Sequence, residues 1–207
     1  MQKSNGSPRD EIVLVHGIAT PRWAMLPLQW GLSRHGFDVT LWTYPSFFQS
    51  IEVHAANLRR FAMSRTPPPS KFHFVAHSMG CIVVRCATYG APIPGLGRMV
   101  WIAPPNLGSP VARIVSTILP GCFPPADQLS SRPDSWVRAL PLPEGQDIGI
   151  LSARFDGLVP SRYTSLPGVP SKCLENATHN TLLISAKAIA ETVSFLRTGA
   201  FRRNSVR

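Results

Sequence analysis

The chain has 207 residues, of which 44% are hydrophobic and 15% are charged, and its formal net charge is +10. This length supports one sizeable hydrophobic core, so we expect a single domain over residues 11–199 with flexible tails at 1–10 and 200–207. No apolar run is long enough for a transmembrane helix. The basic residues are scattered and form no single stripe, which argues against nucleic-acid binding. The charge indicates a solvated surface that favours anionic interfaces, including peripheral contact with lipid surfaces.

The N-terminus and the cysteines bear on the cellular compartment and on metal binding. Polar residues 1–11 lead directly into the apolar Ile12–Val15 and leave no room for the apolar segment of a signal peptide, so we expect a cytoplasmic location. None of the four cysteines belongs to a Cys-x-x-Cys pair or has a histidine at metal-binding spacing, so no metal and no other cofactor is expected. Free thiols are favoured, although Cys122 and Cys173 could pair in an oxidising compartment.

Predicted strands and helices alternate along the chain. Short apolar runs typical of buried strands span 12–15, 38–44, 72–76, 98–103, 148–153 and 172–174. Helices are predicted at 21–35, 51–63 and 182–196, and directly after the strand at 72–76. Repeated β-α alternation favours a parallel sheet that helices cover on both faces. The predicted fold class is therefore α/β, a three-layer α/β/α sandwich with a mainly parallel sheet of about six strands.

Residues 104–146 depart from this alternation. The segment holds nine prolines, and short helices are predicted within it at 111–119 and 135–140. A long excursion at the C-terminal edge of a strand is a common place for a lid or substrate-binding cap, and the alternative is a proline-rich structural loop. Its apolar side chains favour an apolar substrate. The candidate substrate-binding residues are Ile118, Leu119, Phe123 and, beyond the excursion, Leu158.

A sharp strand-to-helix turn is predicted at Ser78, within the segment Lys71–Cys86. The apolar run 72–76 ends just before it, and the small residues Ala76 and Gly80 flank Ser78 two positions away on either side. A serine at the apex of such a turn is held in strained backbone geometry that exposes its hydroxyl, and small neighbours prevent collisions across the turn. This pattern is typical of a nucleophilic serine. The alternative is an ordinary βα turn in which the serine caps the helix.

A serine nucleophile needs a base in contact with it and a third group that orients the base. Ser78 follows one predicted strand, Asp156 follows a later one, and His179 follows the last. The order serine, acid, histidine on strand-end turns is the one that this kind of parallel α/β enzyme uses. We therefore predict Ser78, Asp156 and His179 as the catalytic residues, with Glu175 as the second candidate for the acid.

The turns next to Ser78 offer donors for an oxyanion. The backbone N–H of Met79 lies at the N-terminus of the predicted helix, and the turn after the first strand offers the N–H of Ile18. We predict these two groups as the oxyanion hole, with their side chains shaping the acyl pocket. Two histidines in the same turns are given other roles. His16 is expected to brace its loop, and His77 is expected to point its ring away from the nucleophile.

These motifs resemble those of a known family. The motifs are Val-His-Gly-Ile at 15–18, Ala-His-Ser-Met-Gly at 76–80, a strand ending in Asp156 and a late His179. They look like those of the small bacterial lipases and esterases of the α/β-hydrolase superfamily. The likeness is greatest to the compact lipases in which the sequence around the nucleophilic serine begins with alanine. The resemblance implies a minimal α/β-hydrolase fold without the first antiparallel strands, and it implies the catalytic and oxyanion residues named above. Cys81, where such lipases commonly have a second glycine, departs from the pattern, as does the long excursion.

The motifs and the resemblance together predict a serine carboxylic-ester hydrolase, a lipase or esterase. Its substrate would be a small-molecule ester or lipid with an apolar acyl portion, and the reaction would pass through an acyl-enzyme. An acyltransferase or amidase would use the same residues, because each also forms an acyl-enzyme. A non-catalytic ligand-binding protein of the same fold is the third hypothesis. The order of the three predicted catalytic residues argues against it.

Overall fold

The computed structural model describes residues 9–64 and 71–203, so 1–8 and 204–207 of the expected tails lie outside the described residues. The strands are β1 Glu11–Val15, β2 Asp38–Trp42, β3 Phe72–His77, β4 Leu96–Ile102, β5 Ile148–Ala153 and β6 Ser171–Leu174. The α-helices are α1 Leu26–Arg34, α2 Ile51–Met63, α3 Met79–Thr88, α4 Pro110–Ile118, α5 Pro124–Gln128, α6 Trp136–Ala139 and α7 Ala186–Thr198. In these ranges, no helix combines the length and apolar character needed to cross a bilayer.

The six strands form one parallel sheet in the order β2-β1-β3-β4-β5-β6. This order confirms the predicted α/β class with a sheet of parallel strands. In the register of β1 and β3, Val15 lies beside Ala76, so the two strands end side by side. Because parallel strands place their carboxyl ends at one edge, the turns that follow β1, β3, β5 and β6 all emerge along that edge.

Helices cover both faces of the sheet. Successive side chains of a strand point to opposite faces, and β1 shows the consequence. Val13 belongs to a buried cluster that includes Leu58 of α2. Ile12 belongs to a second buried cluster that includes Leu32 of α1 and Phe195 of α7. The molecule is therefore the three-layer sandwich that the sequence predicted.

Two helices begin later than predicted. The segment 21–35 is divided into a 3₁₀ turn, Arg22–Met25, and α1, whose first turn contains Pro27. Proline suits that position because the N–H that it lacks has no partner within a helix. At the other end of the chain, the Ser185 hydroxyl accepts a hydrogen bond from the N–H of Ala188 at 3.3 Å. This cap starts α7 after the leucines that the prediction had included.

The excursion at 104–146 is anchored on the body of the fold in its middle and near its C-terminal end. In α5, the Gln128 side chain accepts a hydrogen bond from the N–H of Ile51, the first residue of α2, at 2.7 Å. Near its end, the buried Arg85 of α3 donates to the carbonyl oxygen of Pro141 at 3.2 Å. Burial lowers the pKa of Arg85 to about 10, so its guanidinium stays charged at neutral pH. The excursion is thus a folded layer with three short helices.

Phe201 and Arg202, which lie in the segment expected to be a flexible tail, contact α7. The ring of Phe201 contacts that of Phe195, with 5.0 Å between centroids. The N–H of Arg202 donates to the carboxylate of Glu191 at 2.9 Å. Glu191 is buried, and a buried carboxylate needs hydrogen-bond donors. The backbone N–H of Arg202, just beyond α7, is one of these donors.

Gly80 leaves no space for a side chain where α3 packs on the end of β1. A Cβ at this position would lie 2.5 Å from the backbone oxygen of His16 and 2.6 Å from that of Val15. Gly80→Ala is therefore expected to lower the free energy of unfolding by about 1–3 kcal/mol, because the two backbones must separate. Urea denaturation measures the change. Gly157→Ala is the control, since nothing lies within 4 Å of its added Cβ. Equal stability of the two variants would contradict the packing described here.

Candidate active site

Ser78 occupies the turn between β3 and α3. Its backbone has φ 53° and ψ −127°, a conformation that residues other than glycine rarely adopt. Two hydrogen bonds hold this conformation: the Ser78 N–H donates to the oxygen of Ile102 at 2.8 Å, and the Cys81 N–H donates to the oxygen of Ser78 at 2.9 Å. The Ser78 hydroxyl makes no capping hydrogen bond to α3. The alternative of an ordinary N-cap serine therefore does not describe this turn.

The turn that follows β1 packs directly on Ser78. A Cβ at Gly17 would lie 2.8 Å from the Cβ of Ser78. The close approach therefore requires a residue without a side chain at position 17. It brings the next residue, Ile18, to the wall of the cavity that Ser78 also lines.

His179 and Asp156 meet on the loops after β6 and β5. The Nδ1–H of His179 donates to Oδ2 of Asp156 at 2.7 Å, and both side chains are buried. The other carboxylate oxygen, Oδ1, accepts hydrogen bonds from the backbone N–H of Leu158 at 2.9 Å and of Val159 at 2.7 Å. The carboxylate is therefore held in one orientation, and it leaves Nε2 of His179 as the nitrogen that can accept a proton. Glu175, the second candidate acid, is exposed and faces Arg154 at 3.9 Å.

Ser78 and His179 line the same cavity, which has a volume of about 820 Å³. Its wall is mostly apolar and includes Ile18, Phe123 and Leu158 from the predicted site. No hydrogen bond between Ser78 Oγ and His179 Nε2 is present in the described structure. Catalytic hydrogen bonds are often long in proteins without substrate, and they shorten when substrate binds.

Two predicted substrate-binding residues lie outside this cavity wall. Ile118 is 69% exposed and Leu119 is 46% exposed, at the C-terminal end of α4. Val111, in the first turn of the same helix, lines the cavity instead. Seven residues of helix separate Val111 from Ile118, a rise of about 10 Å, which carries the end of α4 away from Ser78. Trp23 and Phe47 also line the cavity, although the sequence pattern did not point to them.

The loop that carries Ile18 is braced from the segment that follows β2. The Nδ1–H of His16 donates to the oxygen of Gly17 at 2.8 Å, and its Nε2 accepts the N–H of Tyr44 at 3.3 Å. The hydroxyl of Tyr44 donates to the backbone oxygen of His16 at 2.7 Å, and the two rings stack. Burial lowers the pKa of His16, so the ring stays neutral and can accept this hydrogen bond. The sequence anticipated the bracing role of His16 but not Tyr44 as its partner.

The predicted oxyanion donors lie on either side of Ser78. Met79 is the first residue of α3, where backbone N–H groups have no partner within the helix. No described residue accepts a hydrogen bond from the N–H of Met79 or of Ile18. Both donors therefore remain available to a ligand at Ser78.

His77 contacts the backbone of His179, a contact that the sequence did not predict. Its Nε2–H donates to the carbonyl oxygen of His179 at 3.2 Å, and the two ring centroids lie 4.7 Å apart. Burial, and secondly the neighbouring His179, lower the pKa of His77 to about 3. His77 is therefore a neutral group at the pH at which a histidine base works.

The described structure contains no disulfide among the four cysteines and no cluster of three or more potential metal ligands. Cys81, which stands where the compact lipases commonly have a second glycine, is buried three positions after Ser78. Its thiol donates to the backbone oxygen of Ala76 at 3.2 Å, and burial raises its pKa. Cys81 therefore behaves as a small protonated core residue and not as a second nucleophile.

Many solved structures share this fold. A metagenomic carboxyl esterase is 18% identical over 91% of this chain and 75% of its own, with a TM-score of 0.64. Lipase B of Aspergillus fumigatus is 18% identical over 94% of this chain and 54% of its own, with a TM-score of 0.72. A lipase of Bacillus licheniformis is 15% identical over 97% and 95%, with a TM-score of 0.66. No family model and no curated protein matches the sequence.

Likeness at these identities establishes the fold. The chain adopts the α/β-hydrolase fold, in the minimal form that its six parallel strands define. The resemblance seen in the sequence is thereby confirmed at the level of architecture. Catalytic activity is a separate question, because one fold hosts many functions.

The backbone strain at Ser78 has a measurable consequence. Glycine adopts positive φ without a steric penalty, so we expect Ser78→Gly to be more stable than Ser78→Ala by about 1 kcal/mol. Thermal and urea unfolding of the two variants measures this difference. At Ser152, which is buried within β5, the same pair of substitutions should have the opposite order, because glycine weakens a strand. If the Gly and Ala variants have the same order of stability at both positions, that result would argue against stored strain at Ser78.

Proposed function

We propose that this protein is a serine carboxylic-ester hydrolase that acts through an acyl-enzyme. One observation carries the proposal. Ser78, in its strained turn, and His179, whose imidazole is hydrogen-bonded to Asp156, line the same apolar cavity. The esterases and lipases among structures of the same fold support it. In this proposal Ser78, Asp156 and His179 are the catalytic residues.

In the proposed reaction, Ser78 Oγ attacks the ester carbonyl carbon while Nε2 of His179 takes the serine proton. Asp156 stabilises the imidazolium through the 2.7 Å hydrogen bond to Nδ1. The imidazolium then protonates the leaving alcohol, and the acyl group stays on Ser78. A water molecule, deprotonated by the same imidazole, hydrolyses the acyl-enzyme and restores the serine.

The oxyanion that develops in both steps needs hydrogen-bond donors. We assign this role to the backbone N–H groups of Met79 and Ile18. Support comes from the packing of Gly17 on Ser78, which places the turn of Ile18 next to the nucleophile, and from the start of α3 at Met79. A helix N-terminus also favours negative charge.

The cavity supports an apolar acyl group as the part of the substrate that is recognised. None of the described residues that line it is Asp, Glu, Lys or Arg, and the wall includes Val111, Phe123, Leu129 and Leu158. A charged group would lose its hydration there without gaining a partner, whereas an alkyl chain gains from burial. We therefore propose neutral esters with a hydrocarbon acyl chain as substrates.

The mouth of the cavity supports contact with a lipid surface. Large apolar side chains remain exposed around it, among them Trp23 at 71%, Phe47 and Ile184, which also line the cavity. Phe48, at 77%, lies beside Phe47. Exposed apolar side chains that cluster in one place, unlike scattered single ones, mark interaction or membrane-contact sites. The net charge of +10 would further favour anionic lipids.

Ser78→Ala is expected to lower the hydrolysis of a short-chain nitrophenyl ester by about 10³-fold or more, because no other group can form the acyl-enzyme. It should also abolish labelling by a fluorophosphonate probe. Ser152→Ala, which removes another buried serine hydroxyl, is the control and should retain both properties. An unlabelled wild-type protein, or undiminished turnover by Ser78→Ala, would favour the non-catalytic hypothesis.

A series of nitrophenyl esters with acyl chains of increasing length distinguishes an esterase from a lipase. We expect kcat/KM to rise with chain length until the cavity of about 820 Å³ is filled, since each buried methylene contributes about 0.8 kcal/mol. If the exposed mouth binds lipid surfaces, the rate should increase further above the concentration at which substrate aggregates. A rate that falls steadily from the shortest ester would contradict the proposed acyl site. Adding an alcohol to the assay reveals any acyl transfer.

A further inference from the structure

His77 joins the strand that carries the nucleophile to the loop that carries the base. It is the last residue of β3, directly before Ser78, and it is 1% exposed. Its Nε2–H reaches the backbone oxygen of His179, 102 positions away in the chain, at 3.2 Å. Its ring lies against the ring of His179 at 4.7 Å, with 54° between the planes. No other described side chain donates a hydrogen bond to that carbonyl group.

Stability alone does not account for a histidine at this position. The Nδ1 atom of His77 is buried, and no hydrogen bond to it is present in the described structure. A buried polar atom without a partner is unfavourable, and an apolar ring of the same shape would avoid this penalty. The properties that such a ring would lack are the N–H directed at the His179 carbonyl and the imidazole dipole beside the base.

We propose that His77 is a positioning residue for His179. Its N–H fixes the backbone of the loop, and its ring limits rotation of the neighbouring imidazole, so that Nδ1 of His179 stays hydrogen-bonded to Asp156 and Nε2 stays available to Ser78. This inference rests on the proposed hydrolase function of these residues. The hydrogen bond to Asp156 orients the base from one side, and His77 does so from the other.

The charge state of His77 agrees with this role. The titratable groups around it are His179, Asp156 and, more distant in effect, His16. A second cation beside His179 would oppose the imidazolium that forms during catalysis. Burial keeps His77 neutral, so it supplies a donor without adding a positive charge.

The test compares three variants by activity per labelled active site. His77→Phe keeps a ring but removes the N–H, and we expect kcat to fall about ten- to a hundred-fold with KM changed less than about two-fold, because a displaced base affects the transition state more than substrate binding. His77→Gln places an amide N–H at a similar reach and should recover most of that loss. His77→Met, a flexible apolar residue, replaces His77→Phe if the latter does not fold.

The number of labelled sites separates positioning from a general loss of structure. If His179 loses its alignment in His77→Phe, the imidazolium that forms during the reaction loses the support of Asp156, so the activity per labelled site should fall while the number of labelled sites stays that of wild type. A structural defect would instead reduce the number of labelled sites and leave the activity of each remaining site unchanged.

His73→Phe is the matched control. His73 lies in the same strand, is 2% exposed, and accepts the backbone N–H of Arg98 at 2.9 Å. Its replacement should leave the activity per labelled site within about two-fold of wild type. The proposal is overturned if His77→Phe has wild-type kcat per labelled site, or if its loss is not recovered in His77→Gln. If the wild-type protein is not labelled by fluorophosphonate, the proposed function itself fails.

Discussion

The architecture of the site depends on the contact between two backbone turns, the one after β1 and the one that holds Ser78. Val15 and Ala76 are partners in adjacent parallel strands, so the two turns leave the sheet side by side. They can touch only because Gly17 and Gly80 have no side chains to separate them. The contact holds a serine in a backbone conformation that it would otherwise avoid, and it places Ile18 on the wall of the cavity that Ser78 also lines. Strained residues persist where surrounding packing of this kind over-determines them.

The polar groups around this contact are buried, and each is oriented by backbone atoms. Two N–H groups bind one oxygen of Asp156, so only the other oxygen is left for His179. His16 and His77 are kept neutral by burial, and each uses its single N–H on a backbone carbonyl. In such a low-dielectric region, charge is costly unless a partner is already in place. The imidazolium proposed for His179 has that partner in Asp156.

The proline-rich excursion supplies much of the apolar surface above this polar base. Two of its helices, α4 and α5, start with proline, which fits the first turn because the missing N–H has no partner there. Gln128 and Arg85 attach it to α2 and α3, so its apolar residues form a wall of the cavity instead of a loose loop. Polar groups at the bottom and hydrocarbon at the sides suit the proposed ester substrate, whose acyl chain would be buried while its carbonyl reaches Ser78.

The sequence by itself determined the fold class. Its apolar runs are too short for helices, and segments with helical periodicity lie between them. This alternation allows little other than a parallel sheet with helices on both faces. It also determined which loops carry Ser78, Asp156 and His179, since each residue lies in the segment that comes after a predicted strand. Only the tertiary structure decided what these turns meet. His77 and His179 are 102 positions apart, and the order of the strands brings them into contact. Val111 lines the cavity and Ile118 does not, because of the direction in which α4 runs. Local periodicity carries no information on either, because both are set by packing between elements distant in the chain.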